Sequence, residues 1–323
     1  PRWMGLPELT RWHYLPVGIG LLGGQLAVIG GMLLGLDAWV QLGLFMSTAG
    51  WGYGLVQLLR VLLAERRAGR GPTWHARSCF AAMSLGLLGL LLVLAYFYGG
   101  NAWWMFAAIK VGSFGLLLPV YFTVAHRMFP FFAGNVVKGY VPWRPFWLLA
   151  AMWALLLAHL ALELLHAYGA LWAVDVPLAL LTGYVLARWW PRGDAPGLLW
   201  VLFIGFAWLP LAFALYAMQS VLYATSGEFL FGRGPAHALY IGFFGSLLVA
   251  MVTRVTQGHS GRPLAMPRVG WFAFALLQLI AVIRVLAEML PDPGLWQAVA
   301  AVGWLLAFAP WVLRHAGIYL RPR

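Results

Sequence analysis

The chain has 323 residues, of which 63% are hydrophobic and only 9% are charged. So few polar side chains cannot cover the outside of a soluble protein, which excludes a soluble globular domain. The formal net charge is +12, which would suggest a nucleic-acid partner in a soluble protein. Here the basic residues are spread over short connections between apolar segments, so no nucleic-acid partner is expected.

The cysteine count limits the cofactor chemistry. Cys79 is the single cysteine of the sequence. This excludes an internal disulfide, an iron–sulfur cluster held by cysteines alone and the Cys-x-x-Cys-His attachment of a covalent haem. Any cofactor must therefore be held mainly by histidine, methionine, carboxylate or backbone groups.

Ten apolar segments follow one another along the chain. Each has about 20 residues or more, enough to cross a hydrocarbon core of about 30 Å as a helix. They predict an all-α, polytopic bundle of about ten transmembrane helices in the lipid bilayer, with residues 1–323 forming one domain. The predicted spans are 14–36, 38–64, 79–98, 102–125, 146–168, 171–190, 196–223, 236–257, 269–290 and 295–319.

The basic residues sort to one side of these spans. All but three of the 21 Lys and Arg residues lie at the termini or beside the connections that follow even-numbered spans. The exceptions are Arg233, on the other side, and Lys110 and Arg284, which lie within spans and away from their inner ends. Because cytoplasmic loops collect Lys and Arg, the pattern predicts cytoplasmic N- and C-termini and an even number of crossings.

Glycines and one proline mark the first four spans. Pro130 is expected to end the fourth helix, because proline lacks the N–H group and clashes with the preceding turn. Phe131 and Phe132 after it indicate a segment tucked back against the bundle. Small residues let helices approach closely, and packing is the favoured role of the glycines in spans 1 and 2. These are Gly18, Gly20, Gly23, Gly24, Gly50, Gly52 and Gly54.

Ionisable residues within a membrane are costly and are the default place to look for function. Lys110 lies eight residues into span 4, near the midplane, and needs a carboxylate, a carbonyl or a cofactor anion. Arg284 and Glu288 are four apart on span 9, so an intrahelical pair is the plainest interpretation. Glu163 and Asp175 lie in the outer parts of spans 5 and 6. All five are predicted in the middle or outer half of the bilayer.

The histidines of the same layer are the candidate metal ligands. On span 5, His159, Glu163 and His166 follow at spacings of four and three, along one helical stripe. His237 lies at the outer start of span 8. Two imidazoles from different helices can be axial ligands of a haem or help to bind copper, with Glu163 orienting a ring. The alternative for each is a hydrogen-bonded packing residue. Three other histidines lie in arginine-rich inner flanks and are expected at the surface: His13, His75 and His315.

The inner end of span 8 has the most distinctive local pattern, Arg-Val-Thr-Gln-Gly-His-Ser-Gly-Arg-Pro-Leu over residues 254–264. Gly258 is expected to end the helix, with polar groups capping its last carbonyls. Arg254 and Arg262 could equally hold an anion, such as a phosphate or a cofactor carboxylate. A Walker loop is excluded, because the Gly-Lys-Ser/Thr spacing is missing. The pattern alone leaves capping and anion binding open.

Three stretches resemble the NnrS family of bacterial membrane proteins. Residues 127–132 are similar to the family's Arg-x-x-Pro-Phe-Phe pattern, and His237-Ala-Leu is followed by Gly242 and Gly245. Residues 254–262 are similar to Arg-x-Thr-x-Gly-His-Thr/Ser-Gly-Arg, the most specific of the three. The motif residues are Arg127, Pro130, Arg254, Gly258, His259, Gly261 and Arg262.

The resemblance implies a multi-pass protein of the bacterial inner (cytoplasmic) membrane that contains haem and copper and is linked to nitric oxide metabolism. It adds His259 to the candidate metal ligands. The family usually has about twelve spans, and the chain begins at Pro1 without a methionine. We therefore expect that either a pair of helices upstream is missing from this chain, or the protein is a shortened relative. Nitric oxide or another diatomic gas, and subunits of a respiratory complex, are the expected partners.

Three functions compete. The favoured one is a membrane protein with haem b, and copper as a second cofactor, that protects respiration from nitric oxide. His237 and His166 are its expected ligands, and Lys110 or Arg284 pairs with the haem propionates. The secondary candidates are His159 and Glu163. The second is a transporter or channel for a small anion or metal ion, with Lys110 and Arg284 along the path. The third is an accessory subunit of a respiratory membrane complex without chemistry of its own. Whether the protein is an enzyme is left open.

Overall fold

A computed structural model describes residues 9–68 and 73–320. These ranges contain helices and no β-strand, which confirms the predicted all-α fold. Three of the helices include a π-helical segment, at Ile19–Gly23, Val111–Leu117 and Ala238–Gly245. The ten long helices in these ranges are α1 Arg11–Leu34, α2 Asp37–Arg67, α3 Trp74–Gly99, α4 Ala102–Val136, α5 Trp147–Leu164, α6 Trp172–Trp189, α7 Gly197–Ser226, α8 Gly234–His259, α9 Arg268–Leu286 and α10 Pro293–Tyr319.

Each of these helices contains most or all of one predicted span. Eight of them are long and apolar enough to cross a membrane, which makes the chain a multi-pass membrane protein. Helices α2 and α6 are outside that set. Charged residues lie within both, Arg60 and Glu65 in α2 and Asp175 and Arg188 in α6. Length and composition thus support eight crossings directly.

The helices divide between two compact units. Unit 1 comprises Pro1–His126 and Phe146–Leu164, and unit 2 comprises Arg127–Pro145 and Leu165–Arg323. Helices α1, α2, α3 and α5 and the first part of α4 therefore belong to unit 1. The last part of α4 and helices α6 to α10 belong to unit 2.

Helix α4 passes through Pro130, so the predicted helix stop is wrong. The helix continues to Val136, although proline cannot donate the backbone hydrogen bond that the carbonyl of His126 would receive. Packing compensates for this lost bond. Phe129, one residue before the proline, is fully buried, and its ring lies 5.4 Å from that of Phe203 within unit 2. Tertiary contacts here override the local helix-breaking tendency.

In unit 1, glycines bring α1 and α2 into backbone contact. A Cβ atom added at Gly20 would lie 2.6 Å from the Cα of Gly50, and one added at Gly24 would lie 2.6 Å from the carbonyl oxygen of Gly43. The predicted packing role therefore holds for Gly20, Gly24 and Gly50. It does not extend to Gly18 and Gly52, around which an added Cβ meets nothing within 4 Å.

In unit 2, α7 and α8 are the most enclosed of the eight apolar helices. Aromatic rings fill the space around them: Phe206 of α7 lies 5.9 Å from Phe243 of α8 and 5.5 Å from Trp189 of α6. All three side chains are fully buried. Helix packing without a solvent-driven hydrophobic effect relies on such dense contact.

The two glycines of α2 make a matched pair for testing the α1–α2 contact. We expect Gly50→Ala to destabilise the protein by about 1–3 kcal/mol, because its methyl group meets the backbone of Gly20. Gly52→Ala should stabilise it by about 0.5–1 kcal/mol, because the site is open and alanine is the better helix former. The measurement is the thermal unfolding midpoint of both variants in one detergent. Equal shifts would contradict the close approach.

Candidate functional site

A buried ion pair links α4 and α5 in unit 1. The Nζ atom of Lys110 lies 2.7 Å from Oε1 of Glu163, and the two side chains are 22% and 3% exposed. Of the partners expected for Lys110, the structure selects the carboxylate. Within α4, Lys110 immediately precedes the π-helical segment, which begins at Val111. Such segments occur frequently at functional sites.

His159 completes this cluster from one turn earlier on α5. Its Nε2 atom lies 3.6 Å from Oε1 of Glu163, and its ring packs 4.0 Å from that of Phe114. Both His159 and Glu163 are buried. The second carboxylate oxygen, Oε2 of Glu163, is also buried and has no hydrogen-bond partner among the described residues. One oxygen thus faces two basic groups, and the other is left unsatisfied, which is costly in an apolar layer.

His166 does not continue the predicted stripe. Helix α5 ends at Leu164, and His166 lies in the following turn with a positive φ of 54°. Its side chain is exposed, and its Nδ1 atom lies 2.6 Å from the hydroxyl of Tyr168. The structure therefore places His166 at the surface of unit 2, in a turn, whereas His159 belongs to the core of unit 1.

His237 and Arg284 meet between α8 and α9 in unit 2. Nη2 of Arg284 is hydrogen-bonded to Nε2 of His237. A guanidinium can only donate hydrogen bonds, so Nε2 must accept and His237 is in a neutral form with its proton on Nδ1. The expected intrahelical pair with Glu288 is wrong, because α9 ends at Leu286 and Glu288 instead accepts a hydrogen bond from Gln297.

Arg284 has an unused donor at this point. Its Nη1 atom is buried and has no hydrogen-bond partner among residues 9–68 and 73–320. Arg233, just before α8, adds a second positive charge that acts on the His237 ring. A buried guanidinium nitrogen without an acceptor, beside another cation, is suited to an anionic group.

The π-helical segment of α8 follows His237 directly, at Ala238–Gly245. Gly242 lies against the ring of Trp208, where a Cβ atom would clash. The indole Nε1 of Trp208 donates to Oε1 of Gln278 at 2.6 Å, and Nε2 of Gln278 donates to the Ser246 hydroxyl at 2.7 Å. This polar network joins α7, α8 and α9. The contact with the Trp208 ring explains why the second motif has a glycine at position 242.

The third motif forms a helix cap. Helix α8 continues past Gly258 to His259, so the expectation that Gly258 ends it is wrong. The left-handed residue is Gly261, with φ 68°, and the N–H of Arg262 donates to the carbonyl of Gln257 at 3.0 Å. This is the Schellman arrangement, which requires a residue at positive φ and so favours glycine. His259 lies exposed in the last turn.

Arg254 connects the third motif to the first. Its guanidinium carbon lies 3.7 Å from the ring centroid of Phe132. This is a cation–π contact, which is strengthened where water is excluded. Of the two alternatives for the third motif, helix capping is therefore observed, and one of its two arginines is used in packing.

The sequence interpretation missed a histidine pair in unit 1. Nε2 of His75 and Nδ1 of His126 share a hydrogen bond of 2.9 Å, and His126 is fully buried. His75 was expected at the surface, as was His315, which is buried and hydrogen-bonded to the Trp311 carbonyl at 2.7 Å. The available signal was the position of His126 at the end of a predicted apolar span, directly before Arg127.

A hydroxyl pair lies one turn from these histidines. Ser78 and Thr123 share a hydrogen bond of 2.7 Å, and the indole of Trp153 donates to the Ser78 hydroxyl at 2.8 Å. The contact joins α3, α4 and α5, so the inside of unit 1 is fixed by polar groups as well as by packing.

The predicted metal ligands are thus distributed over separate places. His159 lies in the unit 1 core, His166 in the turn after α5, His237 at the start of α8 and His259 at its end. Within the two described ranges, no group of three or more His, Cys, Asp or Glu residues could hold a metal ion. The arrangement at His237 and Arg284 instead provides one imidazole and one unsatisfied cation.

Comparison with known families extends the resemblance beyond the three motifs. The family model for the NnrS protein matches residues 1–323. The chain belongs to the NnrS family. No curated protein and no solved structure gives a significant match.

The Lys110–Glu163 pair gives a direct test of coupling in unit 1. We expect Lys110→Met to destabilise this NnrS-family protein by about 3–5 kcal/mol, because it leaves a buried carboxylate without its cation. The double variant K110M/E163Q should recover most of that loss, because both charges are removed. Unfolding midpoints in a single detergent measure the effect, with the exposed Lys138→Met as control. A double variant no more stable than K110M would show that the pair is not coupled.

Proposed function

We propose that this NnrS-family chain is a ten-span protein of the bacterial cytoplasmic membrane that binds haem b and acts in the response to nitric oxide. Both termini would lie in the cytoplasm, because the basic residues are sorted as that orientation requires. The observation on which the haem proposal depends is the pairing of His237 with Arg284, whose second terminal nitrogen is buried without an acceptor.

The donor set at this place fits a haem. A ligating imidazole must offer an unprotonated nitrogen. Nε2 of His237 is unprotonated, because it accepts a hydrogen bond from Arg284, and a bond to iron would replace that hydrogen bond. A haem also has carboxylate side chains, and Arg284 has an unused donor suited to one of them. Arg284 would then bind a propionate and leave Nε2 of His237 to the iron.

The chain's own residues would bind and orient the group. Arg233 and Arg284 would supply positive charge for the propionates, and His237 lies directly before the π-helical segment of α8. The haem would supply an iron that binds a diatomic gas and exchanges electrons. His166, whose Nδ1 is bonded to the Tyr168 hydroxyl, stays the proposed second ligand.

Copper is less well matched by the described residues. Two imidazoles meet at His75 and His126, but within residues 9–68 and 73–320 no group of three suitable ligands occurs. No chemical step is assigned to copper, and metal analysis of the purified protein decides whether it is bound.

The haem proposal predicts a defined optical signature. Purified protein should show a Soret band and a reduced-minus-oxidised spectrum typical of haem b, with iron in the metal analysis. His237→Ala should lower haem occupancy at least about tenfold, because loss of even a group that only supports a ligand lowers metal affinity by about that factor. Arg284→Gln should lower it as well, because a propionate loses its partner.

The control is His13→Gln, which removes a histidine of α1 but keeps a side-chain acceptor for the helix cap that His13 forms with Thr10. Its spectrum should match the unmodified protein. Absence of a Soret band, or an unchanged spectrum in His237→Ala, would contradict the proposal.

One observation favours a second function, the transport of a small ion. Lys110, His159 and Glu163 form a charged cluster inside an apolar unit, and one carboxylate oxygen has no partner. Intramembrane ionisable groups of this kind mark ion and proton pathways. Arg284, the other residue expected along the path, lies in unit 2 and contacts His237.

Transport predicts flux through the protein alone. Proteoliposomes should dissipate a proton or anion gradient faster than protein-free liposomes. Glu163→Gln should slow this dissipation about tenfold or more, because the titratable group is lost. A pH-sensitive dye measures the rate, and Asp37→Asn, at the exposed start of α2, is the control. Equal rates with and without protein would argue against this function.

A further inference from the structure

A cavity of about 320 Å³ lies in unit 2, between the connection after α4 and the end of α6. This volume is at the lower end of the range of small-molecule sites, roughly 300–1,000 Å³. The lining segments directly follow α4, which ends at Val136, and directly precede α7, which begins at Gly197. Both of these helices are apolar enough to cross a membrane, so the cavity lies beside the ends of two spans.

The charged side chains that line the cavity are all cations. They are Lys138, Arg188 and Arg192. Three like charges around one cavity repel each other, and an anion bound between them would remove that repulsion. All three are exposed, so a ligand can reach them without unfolding of the protein.

Two tryptophans, Trp143 and Trp190, also line the cavity, and the first of them contacts a cation. The guanidinium carbon of Arg188 lies 5.1 Å from the ring centroid of Trp143. The ring of Trp190 packs 5.4 Å from that of Trp200 on α7. Tryptophan is enriched at the level of the lipid headgroups, where one side of its ring is apolar and its N–H is polar. The combination of cations and indoles therefore fits the membrane surface.

Hydrogen bonds give the cavity a fixed wall. The hydroxyl of Tyr140 donates to the carbonyl of Trp189 at 3.0 Å, and the indole of Trp189 donates to the carbonyl of Trp143 at 2.8 Å. Trp189 is fully buried. These bonds attach the connection after α4 to the end of α6, so the cations are held by a preformed surface.

The bond from Tyr140 persists over the physiological pH range. Burial raises the pKa of Tyr140 to about 12, because the charged phenolate is poorly solvated there. A raised pKa keeps the hydroxyl protonated, and therefore able to donate, at every pH below that value. The wall of the cavity is thus insensitive to pH near neutrality.

We propose that this cavity binds the phosphate group of an anionic ligand through Lys138, Arg188 and Arg192. A phosphate offers several oxygen acceptors to guanidinium and ammonium donors. Basic pockets at helix ends on the cytoplasmic side are suited to anionic lipid headgroups. The phosphate can come from such a phospholipid or from a soluble phosphate, and the chemistry of recognition is the same. The proposal is independent of haem binding.

The test uses the full chain in phosphatidylcholine nanodiscs, prepared with and without phosphatidylglycerol. Inorganic phosphate is added as the soluble ligand. Native mass spectrometry measures retained phosphatidylglycerol, and tryptophan fluorescence measures phosphate titrations. The variant R188Q/R192Q should weaken binding about 30-fold, and Lys138→Gln about fivefold, as expected for about one lost interfacial cation contact each. Thermal unfolding midpoints check that each variant is folded.

The matched control is R66Q/R67Q, which removes the same charge from two exposed arginines at the end of α2. Its binding should equal that of the unmodified protein. Binding of phosphatidylglycerol alone identifies a lipid, and binding of inorganic phosphate in phosphatidylcholine nanodiscs identifies a soluble ligand. The proposal is overturned if neither binds, or if the two double variants weaken binding equally, which would indicate diffuse attraction.

Discussion

The structure depends on one constraint: polar and charged side chains inside apolar helices must find partners on other helices. In lipid there is no water to satisfy them, and an unpaired polar group there costs several kcal/mol by the usual transfer estimates, about 2–7 kcal/mol. Each pair also fixes how two helices are rotated against each other. The pairs are Lys110 with Glu163, Arg284 with His237, His75 with His126, and Ser78 with Thr123.

Among the buried side-chain atoms that have no hydrogen-bond partner within the described ranges, two are of opposite character. Oε2 of Glu163 is a buried acceptor in unit 1, and Nη1 of Arg284 is a buried donor in unit 2. The first is suited to a proton or a cation and the second to an anion. Such groups are retained at a cost in stability, which is why they indicate function better than the fully paired groups do.

The three family motifs serve different purposes. Residues 254–262 form a Schellman cap around Gly261, and Arg254 of that motif packs on Phe132 of the first. In the structure these two motifs therefore cap a helix and pack it against α4. The stretch that begins at His237 differs, because it leads into a π-helical segment and presents an imidazole to an arginine. Specific patterns thus indicate a helix end as readily as a reactive site.

The sequence determined the fold class and the positions of ten helices, because apolar length and backbone hydrogen bonding are local properties of each segment. It also indicated ionisable residues that lie within the apolar helices, such as Lys110, Glu163 and Arg284. Only the tertiary structure decided their partners, which are 53 residues apart for Lys110 and Glu163 and 47 apart for His237 and Arg284. The helix stop expected at Pro130 was wrong for the same reason. Packing between helices, absent from any local pattern, outweighs what a single helix prefers.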